Sequence, residues 1–167
     1  MNERLTAERL REVLDYDHAT GLFVWRRAIS SHAVVGSPAG GLKPPKNYVW
    51  IRIDGRGYYA HRLAWLWTTG DWPSGDVDHR NLDHSDNRWV NIRPASRSNN
   101  RCNQRARRDN KSGLKGIFFH KGHGTWYARI SKDGQHHHLG VFATAEAAHA
   151  AYIEAAARLH GEFARTA

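Results

Sequence analysis

From Thr6 the apolar positions recur at Leu10, Val13 and Leu14, which lie on one face of a helix that Thr6 is placed to cap. The rhythm then changes. Asp17 to Gly21 reads as a turn and Leu22 to Arg26 alternates like a strand. Ser30 to Lys46, with Gly36, Pro38, Gly40, Gly41, Pro44 and Pro45, reads as a loop. Tyr48 to Ile53 and Tyr58 to Ala60 predict a hairpin about Asp54, Gly55, Arg56 and Gly57. In His61 to Thr69 the residues Leu63, Leu66 and Trp67 fall at helical spacing, Gly70 ends the run, and the helix reads as core packing.

The run Arg80 to Asn87 is too rich in turn formers for regular structure. Trp89 to Arg93 alternates as a strand that Pro94 ends, and Ser96 suits the N-cap of a short helix through Gln104. Arg105 to Asn110 is basic and lacks apolar residues, as a linker does. Three short strands are expected at Gly116 to Lys121, Thr125 to Ser131 and His137 to Phe142, and then a helix from Ala145 to His160 between Thr144 and Gly161. The helix offers Ala147, Ala148, Ala151, Tyr152 and Ala155 as a flat face for a small sheet to cover. The class is α+β, with a first domain over 1–104, a basic linker over 105–111 and a second domain over 112–167.

Charge sharpens this division. The chain of 167 residues carries a formal +9. Arg80 to Lys132 alone holds 13 Lys and Arg against 3 Asp and Glu, a net of +10, so the remainder sums to about −1 (9 − 10). A basic middle between near-neutral ends points to a polyanion, with nucleic acid the commonest. A membrane surface would require an apolar helical face beside the charges, and no stretch approaches the ~20 apolar residues of a bilayer span. Cys102 is the one cysteine, so neither an internal disulfide nor a cysteine-based zinc site can form; it reads as a small packing residue. With no secretory-type N-terminus, a reducing cytoplasm is expected.

Candidate chemistry lies in residues 76–105. It comprises Asp78 and His79, then Asn91, then Asn100 and Asn103. A carboxylate and an amide oxygen are hard ligands suited to Mg²⁺ or Mn²⁺. A neutral imidazole can take a proton from water near pH 7, and an amide oxygen can fix its tautomer. Asn81, Asp83, Asp86 and Asn87 read as turn formers, and His84 is open between a supporting and a phosphate-binding role.

Asp78-His79, Asp86-Asn87-Arg88, Asn91-Ile92-Arg93 and Asn100 with Asn103, together with the upstream run Tyr59 to Trp65, resemble the HNH endonuclease family in its phage-associated branch ending in Asn. The resemblance spans about Leu22 to Arg105 and departs at Leu82, often Gly in the family, and at Ser85, often apolar. It implies a ββα-metal core over 76–104 that cleaves DNA with one divalent ion and no structural zinc. Asp78 and Asn100 would hold the metal, His79 would be the general base and Asn91 would orient it. Asn103 and His84 would support the site.

Residues 112–163 are similar to an AP2 domain, through Lys115-Gly116-Ile117, Trp126, Ala128 and Ile130, Leu139-Gly140, Phe142, Thr144, and the Ala- and Tyr-bearing helix. That family lays a three-stranded sheet in the major groove and backs it with a helix. Alternation within the strands suggests which residues are exposed, and Phe118, His120, Lys121, Arg129, Ser131, Lys132, His136 and His138 are those expected at DNA. Arg88, Arg93, Arg97, Arg101, Arg105, Arg107 and Arg108 are the further residues expected at DNA. Neighbours in a strand point to opposite faces, so His136, His137 and His138 do not converge on a metal.

The reading is a Mg²⁺- or Mn²⁺-dependent endonuclease acting on double-stranded DNA, one strand per site, as a monomer without an obligatory protein partner. A phage or mobile-element origin, with action in the host cytoplasm, follows from the resemblance. A regulator-like DNA-binding protein with an inactive nuclease core is the alternative.

Overall fold

The computed structural model describes residues 5–103, 110 and 112–164, without the side chains of Arg97 and Arg101. The chain forms two compact units, Met1–Ala95 and Ser96–Ala167. The division falls ahead of the expected linker at 105–111, and Arg105, Arg107 and Arg108 lie outside the described residues.

In the first unit, α1 (Ala7–Val13) starts at Thr6, whose Oγ1 accepts the Arg9 amide at 3.2 Å. β1 (Leu14–Tyr16) follows at once and pairs antiparallel with β2 (Phe23–Trp25). β3 (Gly41–Lys43), β4 (Tyr48–Ile53) and β5 (Arg56–Tyr59) form a sheet in that order. Sequence reasoning passed over β1 and β3 for different reasons. β1 continues the apolar run of the helix, whereas β3 is exposed along its whole length and shows no alternation. The β4–β5 turn needs only Asp54 (φ 49°) and Gly55 (φ 78°), both left-handed, as a two-residue hairpin requires.

Helix α2 (Ala60–Thr69) ends at Gly70 in the left-handed region. β6 (Asp76–His79) pairs antiparallel with β7 (Ile92–Ala95). Trp89–Asn91 is a 3₁₀ turn, so the strand starts later than its alternation suggests. Pro94 lies inside β7 opposite Val77, which a strand at the edge of a two-stranded ladder tolerates because its outer side needs no N–H. Leu10, Leu14, Ile51, Ile53, Leu63 and Leu66 are fully enclosed and form the core beneath these elements.

In the second unit, α3 (Arg97–Asn103) starts at Ser96, whose Oγ accepts the Asn99 amide at 3.1 Å. β8 (Ile117–His120), β9 (Thr125–Lys132) and β10 (Gln135–Phe142) form an antiparallel sheet with β9 central. Ala148, Tyr152, Ala155 and Ala156 of α4 (Ala145–His160) are buried with Ile117, Ala128 and Ile130, while Ala147 is exposed and Ala151 only half-buried. The Tyr152 ring lies directly on Gly116, where a Cβ would come within 2.0 Å of it. Cys102 packs with its Sγ 3.3 Å from His160 Nε2, and burial pushes its thiol up. No helix among the described residues is long and apolar enough to cross a membrane.

Candidate active site

Antiparallel register sets Asp78 directly across from Arg93, and opposed residues in a ladder share a face. Arg93 Nε and Nη2 donate to Asp78 Oδ2 at 3.1 and 3.0 Å. Both side chains are enclosed, with 3% and 5% exposure. Arg93 was expected to face DNA. Instead it forms a buried ion pair with the carboxylate expected to hold metal, because the register turns it inward.

His79 follows on β6 and is also buried. Its Nε2 lies 3.1 Å from Asn87 Oδ1. Asn87 Nδ2 donates to the Ser85 carbonyl at 3.0 Å, which directs the amide oxygen at the imidazole. Nε2 therefore carries the proton and Nδ1 is the basic nitrogen. Burial lowers the affinity of the ring for a second proton.

Asn91 was expected to orient His79; the amide oxygen at His79 Nε2 is that of Asn87. Asn91 secures the loop instead. Its Oδ1 accepts the Asn81 amide at 3.1 Å, its Nδ2 donates to the Asp86 carbonyl at 2.7 Å and its carbonyl accepts the Arg80 amide at 2.8 Å. Nothing in local sequence separates Asn87 from the turn formers around it. Its partner is fixed by the path of the loop, which returns it to β6.

The N-terminal hairpin braces Asn87. Tyr16 Oη donates to the Asn87 carbonyl at 2.6 Å, and the Trp89 amide donates to the His18 carbonyl at 3.0 Å. Gly21 adopts φ 75°, and a Cβ there would meet the Arg88 nitrogen at 2.4 Å. Gly21→Ala combines left-handed strain with a backbone collision and is expected to cost at least ~2 kcal/mol. Equilibrium urea unfolding measures it, and a midpoint unchanged from wild type contradicts the close approach.

The loop itself is held by its own side chains. Asn81 Oδ1 accepts the Asp83 amide, and Asp83 Oδ1 accepts the Ser85 amide, both at 2.9 Å. Leu82 sits at φ 64°, which is the backbone region that favours the glycine the family often has there. Arg88 is half-exposed and grips Asp86 at 2.8 and 2.6 Å, which holds the Asp86 carboxyl down to about 2.

Aromatic rings surround His79. Tyr48 stacks on His84 with centroids 4.1 Å apart, and His84 Nδ1 donates to the Lys46 carbonyl at 2.9 Å. His84 thereby stands 5.6 Å from the His79 ring. The packing reading of α2 missed His61, whose ring meets that of His79 edge-on at 4.9 Å. His61 is buried, and among the described residues its Nδ1 has no hydrogen-bond partner. Burial first, then the neighbouring His79, pushes its pKa down to about 3.

A histidine that is neutral when folded but protonatable near 6.5 when unfolded stabilises fully above 6.5. It loses that contribution as pH falls towards its folded value. The first unit should therefore weaken by on the order of 1 kcal/mol per pH unit across that window. His61→Phe should flatten the pH dependence of Tm there, and an unaltered slope would remove His61 as its source.

The other predicted residues divide between solvent and interior. Asn100 is half-buried on α3 in the second unit, its amide donating to the Ser96 carbonyl at 2.9 Å, and Asn103 is buried on the same helix. Phe118, His120, Lys121, Arg129, Ser131, His136 and His138 are exposed, and Lys132 is half-buried. Among the described residues no group of three or more His, Cys, Asp or Glu is placed to hold a metal.

No curated protein and no solved structure matches the chain. Residues 58–102, which contain His61, Asp78, His79, Asn87, Asn91 and Asn100, match the model of the HNH endonuclease family, so the buried imidazole and its neighbours lie within the segment that is similar to that family.

Proposed function

We propose that the chain is a metal-dependent DNA endonuclease in which His79 is the general base. The observation that carries this reading is the His79–Asn87 contact at 3.1 Å, beside Asp78, inside the segment that matches the HNH family. With Nε2 protonated against Asn87, Nδ1 accepts the proton of the attacking water. The water oxygen bonds to phosphorus, the P–O3′ bond breaks and the leaving oxygen takes up a proton. Burial keeps His79 neutral and able to act.

Asp78 and Asn100 would hold the ion with one carboxylate and one amide oxygen, a donor pair that fits Mg²⁺ or Mn²⁺ better than a soft metal. When bound, such an ion supplies charge neutralisation at the phosphate and the leaving oxygen. Cys102 alone cannot provide a structural zinc set. His84 and Asn103 support the site, and Asn91 shapes its loop.

The second unit, with its AP2-like strand and helix order, supplies further DNA contacts. Arg88, Arg97, Arg101, Arg105, Arg107, Arg108, Lys121, Arg129 and Lys132 add positive charge for phosphates. A monomer with one site cuts one strand per event. Cytoplasmic action and a phage or mobile-element origin belong to this same reading.

Purified protein incubated with supercoiled plasmid and Mg²⁺ or Mn²⁺ should yield the relaxed circle. Intact plasmid under both metals sinks the proposal in favour of a DNA-binding protein with an inert core. Asn87→Ala should slow relaxation on the order of 10²-fold by letting the ring turn. A wild-type rate would return the orienting role to another residue.

A further inference from the structure

The outward face of the C-terminal sheet carries a row of rings crossing all three strands. Phe118 on β8 and Tyr127 on β9 are register partners whose rings stack at 5.2 Å and 19°. The His138 ring on β10 continues the row, 6.4 Å from Tyr127 and inclined by 26°. The Arg129 guanidinium lies 5.1 Å from the Phe118 centroid. Ala128 and Ile130 alternate to the buried side, so the ring row stands on the face away from α4. A shallow cavity of about 490 Å³ opens at Tyr127 and His138, with His120, His123 and Val141 along its wall.

A duplex presents phosphates and base edges, which call for Arg, Lys, Asn and Gln. Here the face is aromatic, with Phe118 and His138 exposed and Tyr127 half-buried, while a duplex keeps the faces of its own bases covered. Unpaired bases expose theirs, and aromatic side chains stack on them with little regard to sequence. The charge of the module suits the same ligand. Ser112 to Phe142 holds Lys115, Lys121, Arg129 and Lys132 against Asp133 alone, a net of +3 (4 − 1).

We propose that this face binds a single-stranded segment of DNA by stacking unpaired bases on the Phe118–Tyr127–His138 row. This rests on the reading that the second unit contacts DNA, and replaces groove docking with base stacking.

The test uses the full chain in EDTA, a labelled mixed-sequence oligonucleotide and its duplex. Tyr127→Leu and Phe118→Leu keep apolar bulk but remove the ring faces, and each should weaken single-strand binding about 5- to 150-fold. Duplex binding should change by far less. Thermal melting identifies a variant that fails to fold, and His138→Gln, at an exposed position, then gives the same comparison. Equal losses on both DNA forms, or unchanged single-strand binding by folded variants, overturn the proposal. Plasmid relaxation is scored separately, so wild-type cutting combined with ring-independent binding defeats this inference alone. Absence of binding to either DNA form defeats the premise as well.

Discussion

His79→Ala is expected to abolish plasmid relaxation, with the rate falling by about 10²- to 10⁴-fold, the usual worth of a positioned general base. Duplex affinity measured in EDTA should stay near that of wild type, because the ring is enclosed and the residues proposed to contact DNA are others. The split between binding and cutting is the informative result. Cutting that survives the substitution would remove His79 as the base, whereas loss of both would indicate collapse of the β6–β7 ladder. Asn87→Ala should give a smaller loss than His79→Ala, since it leaves the base present but less well held. The reverse ranking would require Asn87 to touch the reacting atoms itself.

The second large effect concerns folding. Arg93→Met removes the guanidinium from the enclosed Asp78 carboxylate, and breaking a buried pair from one side costs about 3–5 kcal/mol. Asp78→Leu combined with Arg93→Met removes both charges and should recover most of that loss, because matched apolar groups often replace a buried ion pair at little net cost. Urea unfolding of the single and double variants measures both quantities. A double variant no more stable than Arg93→Met would show that the pair is not the source of the effect. The recovered double variant should still fail to relax plasmid, since Asp78 is proposed to hold the metal.

Several elements were legible because their signals are local. Thr6, Thr144 and Ser96 cap the helices they were expected to cap, and Gly70 closes α2. The three strands and helix of residues 112–163 follow from alternation and spacing within each short run. The resemblance to the HNH family was legible from residue types and spacing, and the match to that family's model covers Asp78, His79, Asn91 and Asn100.

Partnerships were not legible. Asn87 and Asn91 are chemically identical and lie in one polar stretch; only the loop path sets Asn87 on His79 and leaves Asn91 closing the turn. Arg93 resembles any basic residue in a basic region until the β6–β7 register opposes it to Asp78. His61 looked like one polar position on a packing helix, and only the approach of α2 brings its ring edge to His79. Tyr127 belongs to the outward sheet face by alternation, but ring stacking across three strands requires the assembled sheet. Local propensity and periodicity act over a few residues and survive in the sequence itself. Pairing across a loop of eight residues or a gap of seventy is decided by the tertiary structure, because a side chain carries no mark of which distant group will face it.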